Sequence, residues 1–182
     1  MTGIRAFIHC LAVVAIVLVA DRVTKSLVET FIPVGGAVPG MDSFVKLLHV
    51  LNDGVAFSMF QGHRMPLIIF QSVLVLVITI VIFVAYRHLK DARRPLMVMT
   101  AFSLMLGGGL GNLWDRVSAG FVTDFVSIGK FAVFNTADAC LVVGCGLLIL
   151  YILRYAHVQG PGSDEVPGPR ESGGPGGPDG VS

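Results

Sequence analysis

Four long apolar runs dominate this sequence and limit what it can fold into. A helix that crosses the hydrocarbon core of a bilayer needs about 20 mostly apolar residues. Because lipid offers the backbone no hydrogen-bond partners, such segments are expected to be α-helical. The runs that reach this length lie at about 4–24, 65–86, 95–114 and 132–155. The sequence therefore predicts an all-α membrane protein with four transmembrane helices.

The composition agrees with this class and argues against two others. Of the 182 residues, 54% are hydrophobic and 14% are charged, too apolar for an ordinary soluble domain. The formal net charge of +1 leaves no basic surface to neutralise phosphates, so no nucleic-acid partner is expected. Cys10, Cys140 and Cys145 lie in or beside apolar runs without zinc-site spacing, and they are interpreted as packing residues.

The first apolar run could be a retained helix or a cleaved signal peptide. Its strictly apolar part is short, from Phe7 to Ala20, and Arg5 precedes it as in a signal peptide. Cleavage after Ala20 would, however, place Leu18 where a small residue is preferred. A retained helix is therefore favoured.

Basic residues indicate which way the helices cross the membrane. The connection between the second and third runs carries four Lys and Arg residues within positions 87–94, more densely than any other loop. Short loops rich in Lys and Arg stay in the cytoplasm. Alternation then places both termini in the cytoplasm and the connections 25–65 and 115–132 outside.

The two outer connections have the composition of β-strands. The segment FVKLLHVLNDGVAFSMF has β-favouring runs on both sides of the turn signal Asn52-Asp53-Gly54, and FVTDFVSIGKFAVF is rich in aromatic and β-branched residues. They predict a small extracytoplasmic β-rich element attached to a membrane domain over residues 1–158. The remaining 159–182 are dominated by Gly and Pro and are predicted to form a disordered cytoplasmic tail.

The predicted topology brings polar residues from several segments to one membrane depth. The third run travels outward and ends at Asp115, while the fourth begins outside with Asn135 and Asp138. Charged residues often flank membrane helices, and Asn135 could be an N-cap with Asp138 favoured by the helix dipole. Yet an apolar run follows Asp138 directly, and an Asp deep in a span costs about 2.5–3.5 kcal/mol on insertion scales. Two aspartates at one depth favour a functional pair.

Two carboxylates held together in a low-dielectric environment can share one proton and act as acid and base. Such a pair suits hydrolysis by water and requires no metal or cofactor. No HExxH motif is present, His49 and His63 lack metal-ligand spacing, and Cys140 has no histidine nearby in sequence to activate it. No metal or cofactor is therefore expected.

Five blocks of sequence stand out: DRVTK at 21–25, NDGVAFSMF at 52–60, GGGLGNLWDRV at 107–117, VTDF at 122–125 and FNTADAC at 134–140. In order and spacing they resemble the lipoprotein signal peptidase family, the bacterial signal peptidase II. The family comprises aspartic endopeptidases of the bacterial inner membrane. They remove the signal peptide from diacylglyceryl-modified prolipoproteins on the amino side of the lipidated cysteine. The resemblance implies this activity and these substrates for the present chain.

The resemblance also implies which residues form the site. Asp115 of GNLWDR and Asp138 of FNTAD would be the catalytic dyad near the outer membrane face. The residues that would bind substrate or support the dyad are Asp21, Lys25, Asn52, Gly54, Asn112, Arg116, Asp124 and Asn135. We expect a monomer in contact with membrane lipid.

Two other classes of protein stay open on the sequence. A small transporter or channel subunit could bind a cation or relay protons with the same aspartates. Transport sites usually lie near the bilayer midplane, however, whereas these aspartates gather at one end of the helices. A scaffold without chemistry would tolerate neutral replacements of both aspartates.

Overall fold

Four helices and two strands make up the described part of the protein. The computed structural model describes residues 3–38, 44–54, 64–88, 95–129 and 133–155. The elements are α1 (Gly3–Phe31), β1 (Val45–Asn52), α2 (Arg64–His88), α3 (Pro95–Ser118), β2 (Val122–Ile128) and α4 (Thr136–Tyr155). Each helix contains a segment long and apolar enough to cross a membrane. The predicted fold class, four such helices with a small sheet, is confirmed.

The third helix is the centre of the bundle, because α3 packs against α1, α2 and α4. Glycines permit this close packing. A Cβ atom on Gly107 would come within 2.8 Å of Val17 Cβ on α1, and Gly108 lies directly against the backbone of Ala137 on α4. Many large apolar side chains of α1, α2 and α4 point away from the bundle, among them Phe7, Ile80 and Leu153. These faces suit contact with lipid.

Three helix ends differ from the sequence prediction. The first helix ends at Phe31 rather than near residue 24, and α3 ends at Ser118 rather than near 114. The fourth helix starts at Thr136 rather than near 132, so Asp138 lies in its first turn and not deeper in the span. Charged residues were expected to end α1 and α3, but they pair with one another inside the bundle and the helices continue through them.

The sheet joins the two connections that were predicted to be β-rich. The strands β1 and β2 are antiparallel, with Val45 opposite Ile128 and Asn52 opposite Val122. The strand β1 thus pairs with β2, some 70 residues later. The run that follows Asn52-Asp53-Gly54 lies outside the described residues. An apolar cluster of Val28, Ile32 and Phe125 fastens the sheet to the end of α1. We call this end of the bundle the sheet end.

Several predictions concern residues beyond those the structure describes. The basic positions 89–94 and the tail 159–182 lie outside the described residues. The direction in which the helices cross the membrane, and hence the side on which the sheet end lies, stays a prediction.

Candidate active site

The sheet end contains a buried cluster of polar side chains. All ten residues singled out in the sequence belong to one network of hydrogen bonds and ion pairs there. Seven of them have charged or amide side chains and are less than a tenth exposed: Asp21, Lys25, Asn112, Asp115, Arg116, Asp124 and Asn135. Buried polar groups of this number require partners, since each unpaired group costs free energy.

Lys25 is the positive centre of one part of the cluster. Its ammonium is fully buried and donates to Asp21 Oδ2 at 2.7 Å and to Asn112 Oδ1 at 3.1 Å. Asp115 Oδ2 also lies 2.7 Å from Lys25 Nζ, as a close ion pair rather than a directed hydrogen bond. The i,i+4 spacing of Asp21 and Lys25 on α1 makes this geometry possible. The first and third helices are thus joined by a buried ammonium between two carboxylates.

Asp21 also connects α1 to the beginning of α4. Its Oδ1 accepts a hydrogen bond from the backbone N–H of Ala137 at 3.0 Å. A Cβ atom on Gly111 would lie only 2.7 Å from Asp21 Oδ2, so this carboxylate needs a glycine opposite it on α3. The first turn of α4 is therefore fixed against both neighbouring helices.

Asn135 caps α4 and holds Asp138 in place. The backbone N–H of Asp138 donates to Asn135 Oδ1 at 3.0 Å, and the N–H of Asn135 lies 3.3 Å from Asp138 Oδ2. The N-cap interpretation of Asn135 is confirmed. Asn112 Nδ2 donates to Asp138 Oδ1 at 2.7 Å. The half-buried Asp138 carboxylate is thus held by neutral donors and lies at a helix N-terminus. The donors and the helix N-terminus both favour negative charge.

Asp124 on β2 is held entirely by amides. Asn135 Nδ2 donates to its Oδ1 at 2.7 Å, and Asn52 Nδ2 donates to its Oδ2 at 2.8 Å. Among the residues that the structure describes, no Lys or Arg forms an ion pair with it. Burial raises the pKa of Asp124 from 3.8 to about 6, and the negative charge of Asp138 adds to this increase, although the amide donors oppose it.

Arg116 links the cluster to α2 and to the segment after β1. It donates to the carbonyl oxygen of Gly54 at 2.9 Å and to Gln71 Oε1. Gln71 in turn donates to the carbonyl oxygen of Gly109 at 3.1 Å. The sequence analysis missed Gln71, whose signal is a buried amide inside an otherwise apolar run. Asn52 Oδ1 accepts from the Gly54 N–H at 3.0 Å, which fixes the turn that Arg116 contacts.

An open cavity of about 530 Å³ borders Asp115. Its polar walls include Arg22, Glu29 and His49. Arg22 Nη1 lies 3.9 Å from Asp115 Oδ1, and Arg22 also pairs with Glu29 at 3.3 Å. Within the described ranges, no group of three or more His, Cys, Asp or Glu side chains could hold a metal ion. The absence of a metal cofactor stays a prediction.

Membrane-length helices with a buried carboxylate cluster at one end define a polytopic membrane protein with a site at that end. A family model described as signal peptidase (SPase) II matches residues 13–154. A lipoprotein signal peptidase of Dehalococcoides mccartyi is 40% identical over 152 residues, which cover 82% of this chain and 91% of that protein. Another, from Halalkalibacterium halodurans, is 34% identical over 78% of this chain and 90% of its own length.

A solved structure supports the same relationship. This structure, described as a bacterial membrane enzyme, superposes with a TM-score of 0.70 at 28% identity and covers 84% of this chain and 92% of its own. The chain belongs to the signal peptidase II family. It is therefore a protease and a multi-pass bacterial membrane protein, and the family resemblance found in the sequence is confirmed.

Proposed function

We propose that this protein removes the signal peptide from diacylglyceryl-modified prolipoproteins by aspartate-catalysed hydrolysis on the amino side of the lipidated cysteine. Membership of the signal peptidase II family, whose similar members are lipoprotein signal peptidases, supports the substrate class. The observation that carries the chemistry is a pair of carboxylates, buried Asp124 and half-buried Asp138, that both hydrogen-bond to Asn135.

Asp138 is the carboxylate best suited to act as the base. Its two oxygens face the amide of Asn112 and the backbone N–H of Asn135, and it lies in the first turn of α4. Hydrogen-bond donors and a helix N-terminus both stabilise negative charge. An ionised Asp138 can accept a proton from an attacking water.

Asp124 and Asp115 are the two candidates for the second carboxylate. The sequence favours Asp115, but in the structure Lys25 Nζ lies 2.7 Å from that carboxylate and offsets its charge. The charge of Asp115 is thus already paired inside the bundle, in a contact that joins α1 and α3. Asp124 is held by neutral amides, and burial raises its pKa to about 6, so more of it is protonated near neutral pH than of an ordinary aspartate. The geometry therefore favours Asp124, with Asp115 as the alternative.

The reaction then needs no covalent intermediate. Asp138 takes a proton from water as the water oxygen attacks the carbonyl carbon of the scissile bond, while Asp124 donates its proton to the carbonyl oxygen. When the C–N bond breaks, the proton on Asp138 passes to the departing amino group of the cysteine. One hydroxyl proton of the intermediate returns to Asp124, and the carbonyl is restored as a carboxylic acid. Arg116, which borders the same cluster, adds positive charge where the oxyanion develops.

The position of the cluster suits a lipid-anchored substrate. The basic loop at 87–94 predicts that the sheet end faces away from the cytoplasm. A diacylglyceryl group keeps the cleaved bond near the membrane surface, at the depth of helix ends. The apolar outer faces of the bundle let acyl chains approach through lipid.

The test is cleavage of a diacylglyceryl-modified prolipoprotein by purified enzyme, followed by the mass of the product. Neutral replacements Asp138→Asn and Asp124→Asn should each lower kcat by about 10³-fold, within the range of a lost general acid or base. Asp115→Asn should lower it by only about tenfold, since it removes a positioning charge. The exposed Asp53→Asn is the matched control and should cleave normally.

The cleavage results test the second carboxylate, the aspartate chemistry and the substrate class separately. If Asp115→Asn abolishes cleavage and Asp124→Asn does not, the pair is Asp115 and Asp138, as the sequence favours. If all three variants cleave at the normal rate, catalysis by these aspartates is wrong. If the unmodified enzyme cleaves no lipid-modified precursor, the substrate class is wrong.

A further inference from the structure

A pair of threonine hydroxyls joins α1 to the first turn of α4, close to the proposed base. Thr24 Oγ1 lies 2.8 Å from Thr136 Oγ1, and both residues are half-buried. Thr136 is the first residue of α4 and stands two positions before Asp138. Neither hydroxyl takes part in the hydrolysis by Asp138 and Asp124.

The hydrogen of the Thr24 hydroxyl points back to its own helix. Thr24 Oγ1 lies 2.8 Å from the carbonyl oxygen of Ala20 and 3.0 Å from that of Asp21, and carbonyl oxygens only accept. Threonine side chains inside helices make such bonds to the carbonyl four residues earlier. Because a hydroxyl has one hydrogen, Thr24 Oγ1 is then the acceptor of the bond between the helices, and Thr136 is its donor.

The first turn of α4 is thus attached to α1 at two neighbouring points. The backbone N–H of Ala137 donates to Asp21 Oδ1 at 3.0 Å. The residue before it, Thr136, donates to Thr24. Asp21 and Thr24 are three residues apart and therefore lie on one face of α1. A single hydrogen bond would let the turn pivot about it, whereas two neighbouring bonds fix its orientation as well as its position.

The orientation of this turn determines where the Asp138 carboxylate lies. Its Oδ1 accepts from Asn112 on α3 at 2.7 Å, and the Asp138 N–H donates to the Asn135 cap at 3.0 Å. The fourth helix packs mainly against α3 and meets α1 over a shorter stretch, so the two bonds to α1 are a large part of that contact. A displacement of a reacting group by 1 Å can cost about 100-fold in rate.

We propose that the hydrogen bond between Thr136 and Thr24 is a positioning contact for catalysis, which sets the orientation of the first turn of α4 and with it the Asp138 carboxylate. The proposal rests on the proposed function, in which Asp138 is the base. The two threonines act through the backbone of the turn and not on the reacting atoms. Loss of the bond should therefore lower kcat and leave KM almost unchanged.

A purely structural contact would behave differently. Hydrogen bonds between membrane helices stabilise the folded protein only modestly. If stability were the only role of the threonine pair, its loss would lower the unfolding temperature slightly, and the enzyme that stayed folded would keep its kcat.

The experiment measures kcat and KM for cleavage of a diacylglyceryl-modified prolipoprotein, together with thermal unfolding in the same micelles. Thr136→Val removes the donor and keeps the branched shape, Thr24→Val removes the acceptor, and Thr136→Ser keeps the hydroxyl. The matched control is Thr30→Val on α1, because this exposed hydroxyl makes the same kind of bond to the carbonyl oxygen four residues earlier, at 2.7 Å. Assays below the unfolding temperature of every variant compare folded enzyme only.

We expect Thr136→Val and Thr24→Val each to lower kcat about tenfold with KM little changed. The double variant should be no slower than the slower single variant, because both substitutions remove the same bond. Thr136→Ser should recover most of kcat, and Thr30→Val should match the unmodified enzyme. If Thr136→Val does not fold, Thr24→Val and Thr24→Ser report on the same bond from α1.

Three outcomes would overturn the proposal. A normal kcat in the valine variants would make the threonine pair a structural contact only. Losses that multiply in the double variant would show that the two hydroxyls act separately. A raised KM at normal kcat would place the threonines in substrate binding. In each case, cleavage by the unmodified enzyme leaves the proposed function standing, whereas no cleavage by that enzyme removes the function and this inference together.

Discussion

Two groups of carboxylates lie side by side at the sheet end, and they differ in what surrounds their charge. Asp21 and Asp115 share the buried ammonium of Lys25, with both contacts at 2.7 Å. Asp124 and Asp138 are held by the amides of asparagines and by a backbone N–H. The first group is an ion-paired junction between helices. The second is a pair of carboxylates held by neutral hydrogen-bond donors.

Because of this difference, we expect the first group to contribute mainly to stability and the second mainly to catalysis. Ion pairing through Asp21 and Asp115 joins α1, α3 and α4, so its main effect is on folding. The amide partners of Asp124 donate to its charged form but bring no opposite charge. The comparison predicts that substitutions in the first group act mostly on stability and those in the second mostly on kcat.

The largest expected effect on stability is that of Lys25→Met. The substitution keeps the side-chain volume but leaves Asp21 and Asp115 buried without their cation, and breaking a buried pair in this way costs about 3–5 kcal/mol. The free energy of unfolding in mixed detergent micelles measures it. The matched control is Lys46→Met on β1, an exposed lysine that should change stability by less than about 0.5 kcal/mol.

A second substitution tests the cause of this loss. Adding Asp21→Asn to Lys25→Met removes one of the uncompensated charges and should recover part of the stability. If Lys25→Met alone unfolds like the unmodified protein, the ammonium is not the junction described above, and the contrast between the two groups fails.

The Lys25 junction shows where sequence analysis succeeds and where it stops. Four apolar runs of sufficient length were enough to predict four helices, because the thickness of a bilayer sets the length of a span. The charges at Asp21 and Lys25 were expected to end the first helix at the membrane surface. Instead, Lys25 contacts Asp115 and Asn112, which lie about 90 positions later in the chain. No local sequence pattern indicates such a distant contact.

The site shows the same limit. The motif resemblance named ten residues, and all ten meet in one network. The choice of the second catalytic carboxylate, however, depends on which aspartate pairs with the Lys25 ammonium. That is a property of packing and not of spacing. Gln71 was missed because one neutral amide barely interrupts an apolar run, and the pairing of β1 with β2 was missed because strand partners distant in sequence leave no local signal.

Asn135 caps α4 and also donates to Asp124 and Asn112. Two replacements can separate the cap from these donated hydrogen bonds. Asn135→Ala removes the cap of α4, worth about 1 kcal/mol, and also the donors to Asp124 and Asn112, worth about 1 kcal/mol each. We expect a loss of about 3 kcal/mol in unfolding free energy and a fall in kcat of about 100-fold, measured on purified enzyme.

Asn135→Ser is the matched variant. A serine hydroxyl accepts from the Asp138 N–H and restores the cap, but it does not reach Asp124 and Asn112 as the amide does. Stability should therefore recover by about 1 kcal/mol while kcat stays low. Recovery of both quantities together would show that the cap alone explains the effect of Asn135→Ala.

Gln71→Leu is expected to have a smaller effect, on activity more than on stability. Leucine fits the apolar surroundings of α2, but it removes the acceptor for Arg116 and the donor to Gly109. With Arg116 less well oriented, kcat/KM should fall about tenfold, equivalent to about 1.4 kcal/mol of transition-state stabilisation. Thr79→Val on the same helix removes an exposed hydroxyl and is the control. An unchanged kcat/KM in Gln71→Leu would show that Arg116 keeps its position without α2.

The smallest effect is a shift in the pH profile of Asn52→Ala. Asn52 donates to Asp124 Oδ2 and stabilises its charged form, so removing the amide should raise the pKa of Asp124 above its value of about 6. If Asp124 supplies the proton, kcat/KM decreases as pH rises through this pKa, and the decrease should move to higher pH in Asn52→Ala. Asp53→Asn, an exposed neighbour, should leave the midpoint in place. A midpoint that moves to lower pH, or a profile that rises through pH 6 in the unmodified enzyme, would mean that Asp124 acts as the ionised base or not at all.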